Sequence, residues 1–261
     1  MPIDDGHLIL EKEDKDSIIA ENPENEKMIR KYAGGMELIR GTERWCLWLK
    51  EISPVEIRRS KIITDRIQKT AEFRSKSNRP QTVELANTPS LFGEIRQPDT
   101  NMLVIPKVSS ETRRYIPICY VSPDIIINGS ALIIPDSTTY HFGVLISNVH
   151  MAWMRTVAGR MKSDYQYSGK IVYNNFPWPT PSEEQKKKIE QTAQAILNAR
   201  SLYPDSTLAD LYDPLTMPPE LSKAHTENDR AVMKAYGFNI KEMSEADCVA
   251  ALMKMYQELT K

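Results

Sequence analysis

The chain has 261 residues, of which 41% are hydrophobic and 26% are charged, and its formal net charge is −1. This composition is typical of an ordinary soluble globular protein with one large domain or two modest ones. No apolar run approaches the roughly 20 residues that span a bilayer. The acidic residues 1–5 lack the features of a signal peptide, so we expect a cytoplasmic protein without a membrane partner.

Sequence motifs for metal, cofactor or covalent chemistry are not found. Cys46, Cys119 and Cys248 are odd in number and widely spaced, which predicts buried thiols in a reducing cytosol and no disulfide or zinc site. The four histidines have no metal-ligand spacing, and we expect His141 and His150 to serve packing or hydrogen bonding. There is no glycine-rich nucleotide loop and no recognisable catalytic triad.

The first part of the chain predicts a mixture of strands and helices. A short strand is predicted at 7–10, two short helices within 14–33, and a buried strand at 44–49, where aromatic and apolar residues are dense. A helix should begin at the capping box of Ser53 and Glu56, with proline at its first position. Its predicted inner stripe consists of Val55, Ile62, Ile63 and Ile67.

The near-zero net charge hides a strongly basic segment between residues 58 and 79. Two acids, Asp65 and Glu72, accompany eight bases: Arg58, Arg59, Lys61, Arg66, Lys69, Arg74, Lys76 and Arg79. A localised basic surface is sufficient to contact phosphates. The alternative is an ordinary solvated helix face.

The pattern changes beyond residue 95. Short apolar runs between 95 and 136, separated by Pro, Ser, Asn and Gly, predict an antiparallel sheet of short strands. Residues 137–158 predict a helix with one broad apolar side, and residues 165–173 a further strand.

Three prolines between 177 and 181 predict a domain boundary, after which the chain is helical. The helices are predicted at 182–202, 218–236 and 244–260, with capping patterns at Ser182 and Ser244. The predicted fold is therefore α+β: a mixed or antiparallel sheet with flanking helices over residues 1–180, then a small all-helical domain over residues 181–261.

Lys162 and Asp164 carry a chemistry suited to reading a base pair. In an extended segment, residues two apart project from the same face. Such a face offers a donor to guanine and an acceptor to the amino group of the paired cytosine. The alternative is a surface ion pair of little energetic consequence.

Residues 174–178, Asn-Asn-Phe-Pro-Trp, are faintly similar to the Asn-Pro-Pro-Tyr loop of amino-methylating DNA methyltransferases. In that loop the aromatic residue stacks on a flipped base. Here the prolines differ and no cofactor-binding strand and loop precede the segment. We expect a rigid domain junction and no catalytic role.

Several longer sequence motifs resemble the C-terminal third of the fused type II restriction–modification enzymes of the MmeI type. The motifs begin at these positions: Arg44 (RWCLWL), Leu85 (LAxxPxLFG), Ile105 (IPxVSSE), Arg114 (RYIP), His141 (HFG), His150 (HMAW), Gly159 (GR), Tyr173 (YNNFPWP) and Leu208 (LADLYDP). The resemblance covers nearly the whole chain and implies a target-recognition domain followed by a helical C-terminal domain. The family's nuclease, connector and methyltransferase domains would lie N-terminal to it.

The resemblance also implies which side chains read bases. Lys162 and Asp164 match the pair that selects the base pair beyond the methylated adenine, and this combination should favour G on the strand carrying that adenine. Ser130 and Gln166 match a second pair of positions, which tunes an inner base.

Phosphate contacts are expected from clustered arginines and lysines. Arg74, Lys76 and Arg79 are three positive charges within six residues. Arg113 and Arg114 follow the Ser109-Ser110 motif and are further candidates, although a structural salt bridge is an equal alternative there.

These expectations describe a DNA recognition fragment of an N6-adenine methyltransferase that reads base edges in the major groove of double-stranded DNA. It would be bacterial, and it would not be catalytic by itself. S-adenosylmethionine, and Mg²⁺ where a nuclease is present, would belong to the parent enzyme, whose methyltransferase domain would be its partner. The alternatives are a helical protein-interaction module without DNA specificity, and a complete small enzyme, for which no catalytic constellation is found.

Overall fold

The computed structural model describes residues 1–261, which divide into two compact units. Unit 1 comprises Met1–Glu37, Thr42–Asp99 and Ser122–Gly129. Unit 2 comprises Leu38–Gly41, Thr100–Val121 and Ser130–Lys261.

The chain forms ten short strands and eleven α-helices, in a mixed α+β arrangement. The strands are β1 Ile9–Leu10, β2 Ile29–Ala33, β3 Trp45–Leu47, β4 Met102–Pro106, β5 Val108–Ser109, β6 Cys119–Val121, β7 Ile125–Ile127, β8 Ala131–Pro135, β9 Gly159–Met161 and β10 Asp164–Gln166. The helices are α1 Lys12–Glu21, α2 Gly35–Arg40, α3 Pro54–Ile57, α4 Lys61–Ser75, α5 Pro80–Glu84, α6 Thr139–Leu145, α7 Asn148–Val157, α8 Glu183–Ser201, α9 Leu208–Leu211, α10 Pro219–Ala235 and α11 Glu245–Leu259. Two 3₁₀ helices, Pro23–Met28 and Leu85–Asn87, and a π-helix, Gly169–Tyr173, complete the list.

Unit 1 is built on a four-stranded sheet in the order β1-β3-β2-β7. Strand β3 is buried along its whole length, which confirms the strand predicted from its aromatic and apolar density. The second helix predicted within 14–33 is wrong, because Ile29–Ala33 is strand β2 and only a 3₁₀ helix precedes it. Strand β7 pairs with β2 in parallel, so this strand is not part of the predicted antiparallel sheet.

Helix α3 begins at the predicted capping box. The Ser53 hydroxyl accepts a hydrogen bond from the Glu56 backbone N–H, and the Glu56 carboxylate accepts one from the Ser53 N–H. The helix ends after one turn, and α4 begins anew with Ser60 as its N-cap. Because the break changes the helical phase, Val55 is 59% exposed and its place in the inner stripe is wrong, whereas Ile63 is fully buried.

Unit 2 contains two three-stranded antiparallel sheets, β6-β4-β8 and β5-β10-β9. Every residue of the central strand β4 is buried. The antiparallel sheet predicted between 95 and 136 is therefore confirmed for β4, β6 and β8. Strands β4 and β5 follow each other with only Lys107 between them, so one nearly continuous stretch of chain serves both sheets.

The single helix predicted over 137–158 is two helices, α6 and α7. Ser147 separates them and caps α7, since its hydroxyl accepts a hydrogen bond from the His150 backbone N–H. The predicted apolar side is largely correct: Phe142, Leu145 and Trp153 are buried in the core of unit 2.

Helices α8, α10 and α11 confirm the three predicted tail helices, and Ser182 and Ser244 close capping boxes as expected. Helix α6 approaches α8 and α10 closely at Gly143, where an added Cβ would lie 2.7 Å from the Ile189 side chain. The Asn228 amide donates to the Gly143 carbonyl at 2.8 Å. Residues on both sides of position 180 thus belong to unit 2, and the predicted domain boundary there stays a prediction.

Two further sequence expectations concern membranes and thiols. None of the helices is both long and apolar enough to cross a bilayer. The thiols of Cys46, Cys119 and Cys248 are all free and buried, as predicted. Burial raises the pKa of Cys119 to about 11, and the same holds for Cys248, so both are thiols at neutral pH.

Candidate nucleic-acid interface

The segment that contains Lys162 and Asp164 is a β-hairpin of β9 and β10, closed by a two-residue turn of Lys162 and Ser163. Lys162 has φ of 57°, a left-handed conformation that non-glycine side chains rarely adopt. The prediction that Lys162 and Asp164 project from one face of an extended segment is wrong, because the chain reverses direction between them. Both are nevertheless held at the tip of the same hairpin.

Arg160 holds the hairpin tip in shape. Its guanidinium carbon lies 3.9 Å from the centroid of the Tyr165 ring, within the range of a cation–π interaction. Its Nη1 donates to the Ser163 carbonyl at 3.0 Å, which ties the strand to the turn. These two contacts give the exposed tip a defined conformation.

The strand register decides which side chains share a face of the hairpin. Asp164 lies opposite Met161, and Gln166 lies opposite Gly159. Directly opposed and alternate residues of antiparallel strands project from the same side. We call these four residues the outer face; Asp164 on it is half-buried and the other three are exposed, whereas Tyr165 on the opposite face is buried.

The structure also brings Ser130 toward Gln166 through one intervening residue. The Lys107 backbone N–H donates to the Ser130 carbonyl at 3.1 Å. The Lys107 carbonyl accepts a hydrogen bond from the N–H of Tyr167, the residue after Gln166, at 2.8 Å. The two predicted base-reading pairs therefore lie in one region of unit 2, although Ser130 and Gln166 are 36 positions apart in the sequence.

Arg113 and Arg114 differ in their surroundings. Arg113 is half-buried, and burial lowers its pKa, while the nearby carboxylates of Asp164 and Asp213 act to raise it. Arg114 is 62% exposed, and its Nη2 lies 3.8 Å from Oδ2 of Asp229. Arg113 thus shares its electrostatic environment with Asp164, and Arg114 offers most of its guanidinium to solvent.

Asp229 on α10 is the anchor of a buried polar network that the sequence patterns did not reveal. Its carboxylate accepts hydrogen bonds from the Tyr115 hydroxyl at 2.7 Å and from the Asn148 backbone N–H at 2.8 Å. The Tyr115 ring stacks on His225 at a centroid distance of 4.1 Å. The available signal was the polar pair Asn228-Asp229 on an otherwise apolar helix face, next to Ala231 and Val232.

Burial raises the pKa of Asp229 to about 6 from its ordinary 3.8, although hydrogen bonds from Tyr115 and Asn148 act in the other direction. The folded protein therefore binds more protons than the unfolded chain between about pH 4 and 6. The stability contributed by this carboxyl is fully present below about pH 4 and is lost as the pH rises through about 6. The slope is about 1.4 kcal/mol per pH unit.

We expect the unfolding free energy of the wild type minus that of Asp229→Asn to fall between about pH 4 and 6 and to level off above. Urea titrations at a series of pH values measure this difference. Asp205→Asn, on an exposed loop aspartate, is the matched control and should give a flat difference. A flat difference for Asp229→Asn as well would contradict the raised pKa.

Arg74, predicted to contact phosphate, is instead a buried structural residue. Its side chain is 0% exposed. All five N–H groups of its guanidinium donate, at 2.7 to 3.0 Å, to the backbone carbonyls of Pro2, Ile3, Leu85, Thr88 and Leu91. No donor remains for a phosphate, so the prediction for Arg74 is corrected.

The rest of the basic segment in unit 1 is mostly accessible. Arg66 is already paired within the protein, since its Nη1 and Nη2 donate to the Asp14 carboxylate at 3.2 Å each. Six bases are exposed: Arg58, Arg59, Lys61, Lys69, Lys76 and Arg79. Lys76 and Arg79 therefore remain candidates for phosphate contacts.

Within residues 174–178, Phe176 and Pro177 are buried in unit 2, whereas Asn174 is exposed. Phe176 is buried, with its ring edge-on to His150 at a centroid distance of 4.5 Å. The Tyr236 hydroxyl donates to the Pro177 carbonyl at 2.8 Å. Trp178, which stands where the methyltransferase loop has its aromatic residue, is half-buried and contacts the Phe176 ring edge-on at a centroid distance of 5.7 Å. His150 itself bonds the Tyr167 hydroxyl, as expected of a hydrogen-bonding histidine.

Comparison with known proteins matches the whole chain to one family. The family model "MmeI, target recognition domain" matches residues 1–180, and "MmeI, C-terminal domain" matches residues 181–261. DNA methyltransferase A of Bacillus subtilis strain 168 is 38% identical over 260 residues, which cover 100% of this chain and 29% of the relative.

A solved structure, that of the type IIL restriction–modification enzyme MmeI in complex with DNA, is similar to this chain with a TM-score of 0.94 and 46% sequence identity. The match covers 99% of this chain and 34% of that one. The chain therefore spans about a third of the length of the relatives that it matches.

Proposed function

Because this chain belongs to the family of MmeI target recognition domains and their C-terminal domains, we propose that it is the DNA-recognition portion of a restriction–modification enzyme that methylates adenine at N6. The observation that carries the proposal is the match, over 99% of the chain, to an enzyme solved in complex with DNA. The chain would select the site and the remainder of the enzyme would act on it.

The hairpin of β9 and β10 is the element that we propose enters the major groove, which is wide enough for a two-stranded β-ribbon. Lys162 at its tip would donate to O6 and N7 of guanine. Asp164 would accept from the amino group of the paired cytosine. The pair would read one G·C base pair, with G on the strand of the methylated adenine.

Gln166 and Ser130 would read an inner base pair. Gln166 is exposed on the outer face together with Asp164, and the backbone of Lys107 links its strand to Ser130. Amide and hydroxyl groups both donate and accept, so these two side chains can adapt to more than one base.

Phosphate contacts would come from the exposed bases. In unit 2 the exposed base is Arg114. In unit 1 the exposed bases are Arg58, Arg59, Lys61, Lys69, Lys76 and Arg79. Such contacts position the protein on the duplex without reading its sequence, and they make the affinity depend on salt.

The chemistry of methylation would lie outside this chain, in the methyltransferase part of the same polypeptide. The described residues contain no group of three or more His, Cys, Asp or Glu side chains that could hold a metal ion. S-adenosylmethionine supplies the methyl group in such an enzyme, and Mg²⁺ serves the nuclease where one is present. As part of a bacterial enzyme, the chain would act in the cytoplasm.

Selection of bound duplexes from a randomised pool at low salt tests the proposal. An enriched motif, with an affinity that falls as salt rises, is the expected result. Salt-dependent binding without an enriched motif would show that the chain binds DNA without sequence specificity. No binding at low salt would favour a protein-interaction module instead.

A further inference from the structure

The hairpin of β9 and β10 carries one exposed methionine, Met161. Met161 is 50% exposed at the end of β9, although most large apolar side chains of unit 2 are packed in its core. In this exposed position, the methionine side chain contributes little to stability through burial of apolar surface. Its unbranched thioether chain adapts its shape to irregular apolar surfaces.

The strand register places Met161 beside a proposed base reader. Met161 is paired directly with Asp164 and lies on the outer face with Gln166 and Gly159. Opposed side chains on one face have Cβ atoms about 4.5–5.5 Å apart. Consecutive bases of one DNA strand are about 3.4 Å apart along the axis. A group at this distance from Asp164 would face the next base pair or the one after it.

The major-groove edge of B-DNA offers one apolar group, the 5-methyl of thymine. On the outer face, Asp164 and Gln166 match polar base edges, which leaves Met161 as its apolar side chain. Gly159, opposite Gln166, has no side chain that would keep a base edge away from this face.

We propose that Met161 is a further specificity-determining residue, whose side chain packs on the 5-methyl group of a thymine within two base pairs of the pair read by Lys162 and Asp164. This inference rests on the proposed DNA-reading function. It adds an apolar contact to the polar base contacts of that function.

Replacement of single thymines by deoxyuridine, which lacks only the 5-methyl group, tests the inference. Binding affinities are measured for the selected motif and for each substituted duplex, with the full chain at one low salt concentration. We expect one substitution near the Lys162 and Asp164 position to weaken wild-type binding about fourfold. Met161→Ala should bind the thymine duplex as weakly as the wild type binds the deoxyuridine duplex, and should not distinguish the two.

Two variants control for fold and for general effects. Met161→Leu keeps an apolar side chain and should retain most of the discrimination. Met36→Ala removes a methionine of similar exposure, 61%, that is not on the hairpin, and it should discriminate like the wild type. Thermal unfolding of each variant establishes that the fold is kept.

The outcomes separate the inference from the function on which it rests. A selected motif in which no deoxyuridine substitution within two base pairs of the G·C pair weakens wild-type binding would overturn the inference alone. Equal deoxyuridine sensitivity in the wild type and Met161→Ala would also overturn it. Failure of the wild type to enrich any motif would overturn the proposed function, and the role of Met161 with it.

Discussion

Replacing Arg74 with methionine should destabilise unit 1 by at least about 4 kcal/mol. The substitution keeps much of the aliphatic side chain but removes all five donors, and five part-buried backbone carbonyls lose a hydrogen bond. Each unsatisfied buried polar group costs about 1–3 kcal/mol, and losses above 4 kcal/mol are exceptional for a single change. Urea unfolding followed by tryptophan fluorescence measures the loss, since Trp45 and Trp48 lie in or against the core of this unit.

Lys76→Met and Arg79→Met are the matched controls for Arg74→Met. Both remove an exposed charge close by in sequence and should change the unfolding free energy by no more than about 0.5 kcal/mol. Arg74→Lys should remain strongly destabilised, because one ammonium with three donors cannot replace the planar fork. A stable Arg74→Met protein with weakened DNA binding would return Arg74 to the phosphate candidates.

Exchanging the charges of the proposed base-reading pair, Lys162→Glu with Asp164→Arg, should invert the preferred G·C base pair. The new arginine would donate to guanine on the opposite strand, and the new glutamate would accept from the cytosine amino group. Each good contact of this kind is worth about 1–3 kcal/mol of discrimination, so the preference should change by about tenfold or more at that one position. Selection from a randomised pool with both proteins measures it.

The exchange is designed to spare the fold. Glutamate and lysine are both unbranched at Cβ, so the left-handed backbone at position 162 is equally strained in either protein. Lys170→Glu is the control, because it changes an exposed charge beyond the hairpin and should leave the selected base pair unaltered. An unchanged motif in the exchanged protein would show that the hairpin does not read this pair.

Local signals in the sequence succeeded where a few adjacent residues contain the whole interaction. The capping boxes at Ser53, Ser182 and Ser244 each close within four residues, and all three are present. The short range of such signals also explains why the helix prediction over residues 137–158 is wrong. Ser147 is also an N-cap, but the apolar pattern continues through it, and a single helix was predicted where there are two.

The candidate site was only partly readable from the sequence. The motifs shared with the MmeI family pointed to Lys162, Asp164, Ser130 and Gln166, and the structure gathers these four in one unit. The extended geometry assumed for Lys162 and Asp164 was wrong, because the turn between them depends on the pairing of β9 with β10. The position of Met161 beside Asp164 became visible only from the strand register, and the contacts of Arg160 with Tyr165 and Ser163 only from the folded hairpin.

The helix starts and the family could be identified from the amino-acid sequence, because they depend on residue type and on neighbours within a few positions. That Arg74 is a buried donor to five carbonyls, and Asp229 a buried acceptor, follows from the packing of the folded chain. Arg74 donates to carbonyls 71 and 72 positions away, and Tyr115 reaches Asp229 across 114 positions. Burial and hydrogen-bond partners at such separations are set by how the chain packs, and the charge of a side chain alone does not reveal them.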